Sequence, residues 1–480
     1  MSALEIARVQ AQLGEGFRVY PRSMLVVEGM AAALVRRAHE KFLFLSAHLW
    51  GFQGIPWNGG LLCPLTPGNA AALMRARPSF RPRRLPEIPS FGFGDRLGLA
   101  TPGHVRALDG AKVFPVFAQQ SMRENARTGR DFARVLADAV FGALQEGYQE
   151  GFSADADHLK SVEKAREAAR LGYTFFTCDP SDFLAPLESL PEKKWREEIS
   201  KIPAKTLEEE YLGRVFSVPG LGDFRFSKDE LLSIAVKYWR ALDFAEEMYR
   251  ALEEEVPEGF DFELSVDETA EPTTAKEHLF LALELRRRGI KLASLAPRFP
   301  GALEKAVDYQ GDLEEFRKAV RAHAAIAQAF GPYRLSLHSG SDKWSIYPVF
   351  AEETKGFWHV KTAGTSYLVA LEVLARFSPV LFREIFALAR ARFPADRQSY
   401  HVSADPRRLP DPNALEDRDL PGLFWDPEVR QVLHVAFGSV LQRYGDDLRR
   451  ELLGYEEEYH RALAGHLGRH LRALGVKEDG

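Results

Sequence analysis

Three short stretches hold the residue types that a proton-transfer or metal centre needs. The first, Tyr333 to Lys343 (YRLSLHSGSDK), alternates like a buried strand and then releases His338, Ser339, Ser341, Asp342 and Lys343 around a flexible Gly340. An imidazole at such a strand exit is a candidate ligand. In the second, GFSADADHLK, alternation puts Asp155 and Asp157 on one side of a strand with His158 at its end. A carboxylate next to an imidazole suits a general base beside a metal ligand; helix capping by Asp157, with His158 merely exposed, is the plain alternative. The third, FDFELSVDE, ends in Asp267 and Glu268. Capping of the next helix can absorb Asp267, which leaves Glu268 as the second candidate acid or base.

Other strand exits add polar groups. Arg298, closing IKLASLAPR, has the planar fork that grips a carboxylate. Asp308, Gln310 and Asp312 each read singly as turn residues, and together as the source of one oxygen ligand. Lys361, Thr362, His401 and Ser403 supply further basic and hydroxyl groups, and Gln119, Gln120, Ser121 and Arg123 can join them. Two histidines and one or two carboxylates on a single rim imply a divalent cation with open positions: Mn, Zn, Co, Ni or Fe(II). The rim has few large apolar residues, which fits a polyhydroxylated, anionic small molecule and not a lipid.

To bring these exits together the chain needs a parallel sheet whose strands all end at one edge. Eight β-prone runs end in polar residues: 90–95, 151–157, 173–179, 260–268, 290–298, 334–339, 357–364 and 399–405. Helical patterns lie between them, clearest at 131–149, 226–255, 276–289, 313–330 and 366–392. One opens with the capping box Thr274-x-x-Glu277 and stops at Gly289. Eight strand–helix repeats predict an α/β fold, a (β/α)8 TIM-type barrel, with an open doubly wound sheet as the fallback. The catalytic barrel is placed at 86–405, with an insertion at about 180–226. An N-terminal accessory region, 1–85, precedes it, with helical periodicity up to Leu49 and an Arg/Pro-rich linker after it. A mostly helical C-terminal extension, 406–480, follows, its Glu, Arg and His content reading as a solvated face.

Composition narrows the function classes. With 63 basic and 68 acidic residues the formal charge is −5, so no global field favours nucleic acid or an anionic membrane. The two cysteines, Cys63 and Cys178, rule out a disulfide framework and Cys-based metal sites, and a reducing cytoplasm fits. No apolar stretch is long enough to span a bilayer, and the amphipathic first helix lacks the pattern of a signal peptide. Gly92 to Gly98 (GFGDRLG) misses the dinucleotide spacing, and neither a P-loop nor a G-x-S-x-G elbow occurs. Self-association into a homo-oligomer stays open.

At these residues the chain resembles the tagaturonate/fructuronate epimerase family of hexuronate catabolism. The resemblance rests on FGFGDRLGLATPGH, FSADADHLK, TFFTCDPSD, SVDETAEPTT, LAPRFPGALEKAVDYQGD and LHSGSDKWSIYP, in order over roughly residues 90 to 405. It implies Asp157 as proton acceptor, Glu268 as proton donor, and His158, Asp308 and His338 as ligands of one divalent metal cation. The implied reaction interconverts D-tagaturonate and D-fructuronate, which differ at C4 in ketose counting (C3 from the carboxylate). That carbon is β to the ketone and its hydrogen is not acidic. Inversion is therefore expected by retro-aldol cleavage and re-addition through a metal-stabilised enediolate, with Arg298 or Lys343 holding the carboxylate. A metal-dependent aldolase or isomerase on a related sugar acid or ketohexose would use the same residues. A non-catalytic sugar-acid-binding protein would need no acid/base pair, and a two-carboxylate glycosidase fits poorly with two histidines.

Overall fold

The structure, a computed structural model, describes residues 3–185, 191–400 and 402–478. Eight parallel strands close into a barrel: Ser90–Phe93, Phe114–Ser121, Ser153–Leu159, Phe175–Cys178, Asp261–Ser265, Ser294–Ala296, Arg334–Leu337 and Trp358–Thr362. Each pairs with the next in sequence, and the eighth closes on the first with His359 opposite Ser90 and Thr362 opposite Phe93. The (β/α)8 barrel expected from the repeat count is therefore the fold. Its helices form where the sequence supplies caps. Thr274 Oγ1 accepts from the Glu277 N–H (3.2 Å), the Glu277 carboxylate accepts from the Thr274 N–H (2.7 Å), and Gly289 takes the left-handed φ of 75° just past the helix Ala275–Arg287.

One of the eight expected strands is wrong, and another takes its place. The run 399–405 is not a strand: Arg397–Ser399 is a 3-10 turn, residues 402–405 are irregular, and His401 lies outside the described residues. The barrel is already closed by Trp358–Thr362 and has no edge left to pair. The missing strand is Phe114–Ser121, where Pro115 argues against a central strand. The expected helix 366–392 is two, Thr365–Phe377 and Pro379–Asp396. Pro379 cannot give the N–H that would continue the first.

The region before the barrel is not helical up to Leu49. After the helix Ala3–Leu13 come six antiparallel strands between Phe17 and Pro64. Val27 pairs with Met30 across a two-residue turn in which Glu28 and Gly29 both have positive φ (46° and 84°), as a tight hairpin needs. The C-terminal helices are not a solvated face either. His434, Glu456, His460 and His470 are all buried. Glu456 accepts from Tyr20 Oη (2.8 Å), Gln145 Nε2 (3.3 Å) and Lys41, which ties the antiparallel sheet, a barrel helix and the last helix together. Among the described residues no helix is long and apolar enough to cross a membrane.

Candidate active site

Inward-facing side chains of the barrel strands build the floor of the site. Asp155, Thr177, Glu263 and Lys361 come from four strands and meet on the axis. Lys361 Nζ lies 2.8 Å from each of Asp155 Oδ2, Asp157 Oδ1 and Glu263 Oε1, and 2.7 Å from Thr177 Oγ1. Thr177 Oγ1 is also 2.9 Å from Asp155 Oδ1, and the Ser294 hydroxyl donates to Glu263 Oε2. A lysine buried to 2% exposure is sustained only by opposing charge of this kind.

Above this floor Asp157 and His158 share the mouth because their strand carries an extra residue. Ala156 to Leu159 is matched by only Phe176 to Cys178 on the neighbouring strand, and His158 takes a φ of 52°. Such a bulge re-aims side chains, so two consecutive residues serve one site. His158 Nδ1 is 3.1 Å from Asp179 Oδ2, and its ring centroid is 4.8 Å from that of His338. His338 is held between Glu263 Oε1 (2.6 Å from Nε2) and Asp267 Oδ1 (3.3 Å from Nδ1).

The electrostatics follow from this crowding. Burial works against the charged form of His338, yet Asp267 and Glu263 raise its pKa to about 10. His158 is raised against burial by Asp157 and Asp179. Burial would raise Asp157, but Lys361, His158 and His338 hold it below the usual carboxylate range. Asp155 goes the other way: burial, opposed by Lys361 and reinforced by Asp157 and Glu263, pushes it up to about 6. Five carboxylates (Asp155, Asp157, Asp179, Glu263, Asp267) thus face one lysine and two imidazoles. A donor set this rich in oxygen and imidazole fits a divalent cation.

The residues singled out from sequence do not all reach this point. Asp157, His158 and His338 converge on one cavity. Glu268 stands exposed at the rim, its carboxylate within 4.8 Å of His158 and Asp179 ligand atoms. Asp308 accepts from the Ser345 N–H (3.2 Å) and Oγ (3.0 Å), bracing the loop after His338. Gln310 pairs its backbone with Ala302, and Asp312 caps the helix Leu313–Phe330. Arg298 is not among the residues lining the cavity, and its backbone pairs with Thr273. Lys343 lines the cavity but spends its three donors on the carbonyls of Glu304 (2.9 Å), Ser341 (3.0 Å) and Val307, while burial lowers it to about 7. Glu263 and Asp179 were not foreseen. In FDFELS, polar residues at every second position (Asp261, Glu263, Ser265) mark the inward face of a barrel strand, and that signal was there to be used.

The loop bearing His338 is also held from behind. Asp342, at a φ of 56°, accepts from Arg430 (2.5 Å) and lies 2.7 Å from His466 Nε2, and its N–H donates to His470 Nε2 (3.0 Å). Burial opposes the Asp342 charge, but His466 and Arg430 hold its pKa below the usual range. The Arg430 guanidinium already occupies that carboxylate, so this trio is a latch and not a cation site.

Comparison with known proteins follows the same lines. The family model described as tagaturonate epimerase matches residues 20–474. A tagaturonate/fructuronate epimerase from Thermotoga maritima is 43% identical over 471 residues, covering 96% of this chain and 98% of that one. The native crystal structure of fructuronate-tagaturonate epimerase from Cohnella laeviribosi superposes with a TM-score of 0.92 at 35% identity, covering 99% of both chains. A glycerol complex of the same enzyme gives 0.92 at 34%, covering 99% of this chain and 100% of that one.

Proposed function

We propose that this chain, which belongs to the tagaturonate epimerase family, interconverts D-tagaturonate and D-fructuronate by inverting C4 in ketose counting. The observation that carries this is the convergence of Asp157, His158 and His338 on one mouth in a chain matching that family almost end to end. The hydrogen at C4 is not acidic, so the carbon is inverted by opening and remaking the C3–C4 bond. Asp157, kept ionised by Lys361, takes the proton of the C4 hydroxyl. C4 becomes an aldehyde carbon, the C3–C4 bond breaks, and its electron pair stays on the ketone half as an enediolate. The aldehyde half turns, C3 attacks its other face, and Glu268 protonates the new alkoxide.

His158 and His338 would hold a divalent cation. Asp179 lies against His158, and Glu263 and Asp267 against the two nitrogens of His338, while Asp308 joins only if its bonds to Ser345 release. Such an ion supplies Lewis-acid polarisation of the ketone oxygen. Glu263 behind His338 fits an outer partner that orients a ligand imidazole. The unpaired thiols of Cys63 and Cys178 are buried, which suits the cytoplasm of a small-molecule metabolic enzyme.

The test is conversion of D-tagaturonate in deuterium oxide before and after chelation. We expect fructuronate without deuterium at C4, loss of activity with chelator and recovery with one divalent ion. Label at C4 would overturn the bond-breaking route, and indifference to chelation would overturn the metal. For the second acid/base, Glu268→Gln is expected to lower kcat about 100-fold, measured at saturating tagaturonate. A change smaller than about threefold would remove Glu268 from proton transfer.

A further inference from the structure

Most of the cationic side chains that line the cavity are already engaged. Arg96 is paired with Glu124 (2.9 Å), Lys361 with Asp157 and two more acids, and Lys343 with backbone carbonyls. Arg123 stacks on the Tyr400 ring, 4.9 Å from its centroid. That leaves Lys305. Among the described residues its ammonium makes one hydrogen bond, to Ser339 Oγ (2.9 Å), next to His338. Burial depresses its pKa and the charge of Arg123 adds to the effect, while Asp267, Glu124 and Glu268, none of them within ion-pair distance, partly oppose it. An ammonium with one hydrogen-bond partner in a partly buried wall is stabilised when an anion meets it.

We propose that Lys305 binds the carboxylate of the sugar acid and so selects uronates over neutral sugars. The inference rests on the reaction proposed above for its purpose, though not for its test. In that reaction the carboxylate belongs to the half that turns, a three-carbon aldehyde acid, while the ketone half stays in place. The grip must therefore keep this fragment in the site while its aldehyde carbon presents the other face. An ammonium on a flexible stem holds a carboxylate as a point charge and tolerates that rotation, where a rigid guanidinium fork would resist it.

Binding and turnover separate the two ideas. In calorimetric titration of the metal-loaded enzyme we expect D-gluconate to bind more tightly than D-sorbitol, which lacks the carboxylate. In Lys305→Met, D-gluconate affinity should fall about thirtyfold with D-sorbitol unchanged. With D-tagaturonate, KM should rise by a similar factor and Lys305→Arg should recover most of the binding but less of kcat. Equal binding of gluconate and sorbitol by the wild type, or gluconate affinity within about twofold in Lys305→Met, overturns the assignment. A wild type that binds gluconate through Lys305 yet leaves tagaturonate unchanged would uphold the anion site and overturn the proposed reaction. Removing a buried, poorly partnered ammonium should not impair folding, and unchanged thermal melting of Lys305→Met confirms that.

Discussion

Lys361→Met is expected to destabilise the protein by about 3–5 kcal/mol, seen as a lower urea midpoint at pH 8. The substitution keeps most of the volume and removes the one ammonium that lies 2.8 Å from Asp155, Asp157 and Glu263. Three buried carboxylates would then face each other without it, and all three pKa values would rise. The pH dependence has a definite sign. In the wild type, Asp157 and Glu263 are held below their ordinary range, so their stabilisation is present above that range and is lost as the medium is acidified. Asp155, raised to about 6, contributes oppositely: its share is present below the ordinary carboxylate value and is lost as pH rises through 6. In the variant all three behave like Asp155, so its deficit should be widest at pH 8 and narrow towards pH 5. Equal deficits at both pH values would mean that the lysine acts by packing and not by charge.

Asp157→Asn should lower kcat about 1,000-fold with little change in melting temperature. The amide keeps the shape of the carboxylate: its oxygen can still accept from Lys361, which lies 2.8 Å from Oδ1, and its NH2 can donate to Gln119, 3.1 Å from Oδ2, once that side-chain amide turns over. It cannot take the proton of a hydroxyl. Steady-state rates with tagaturonate decide this, and a loss under about tenfold would move the base elsewhere, with Asp155 next in line.

Much of this was written in the chain, and the failures have physical causes. Strand count and barrel closure were legible because seven runs combine β-prone residues with a polar exit. The eighth was misplaced because Pro115 looks like a strand breaker. It sits opposite Phe91 near the start of its strand, where proline is tolerated. Asp157, His158 and His338 were legible as strand-exit residues. Glu263 and Lys361 were less so, since a charged residue inside a strand reads as exposed until the strand is known to line a barrel. The histidines of the last helices were misread as solvated because helical spacing does not say which face is covered. His470 is buried beneath the Asp342 loop, against Trp344 and Tyr347. Lys305 had no local signal, since it belongs to an irregular segment between the sixth barrel strand and its helix.

The latch on Asp342 has a consequence for how a working enzyme is assembled. Part of what holds residues 338–345, the grip of Arg430 and His466 on Asp342, comes from more than eighty positions further on. During synthesis the substrate mouth therefore stays unfinished until the helix Glu456–Ala473 has emerged, long after the eighth strand is available to close the ring. Split or circularly permuted forms that recover the ring alone would regain the scaffold without the chemistry.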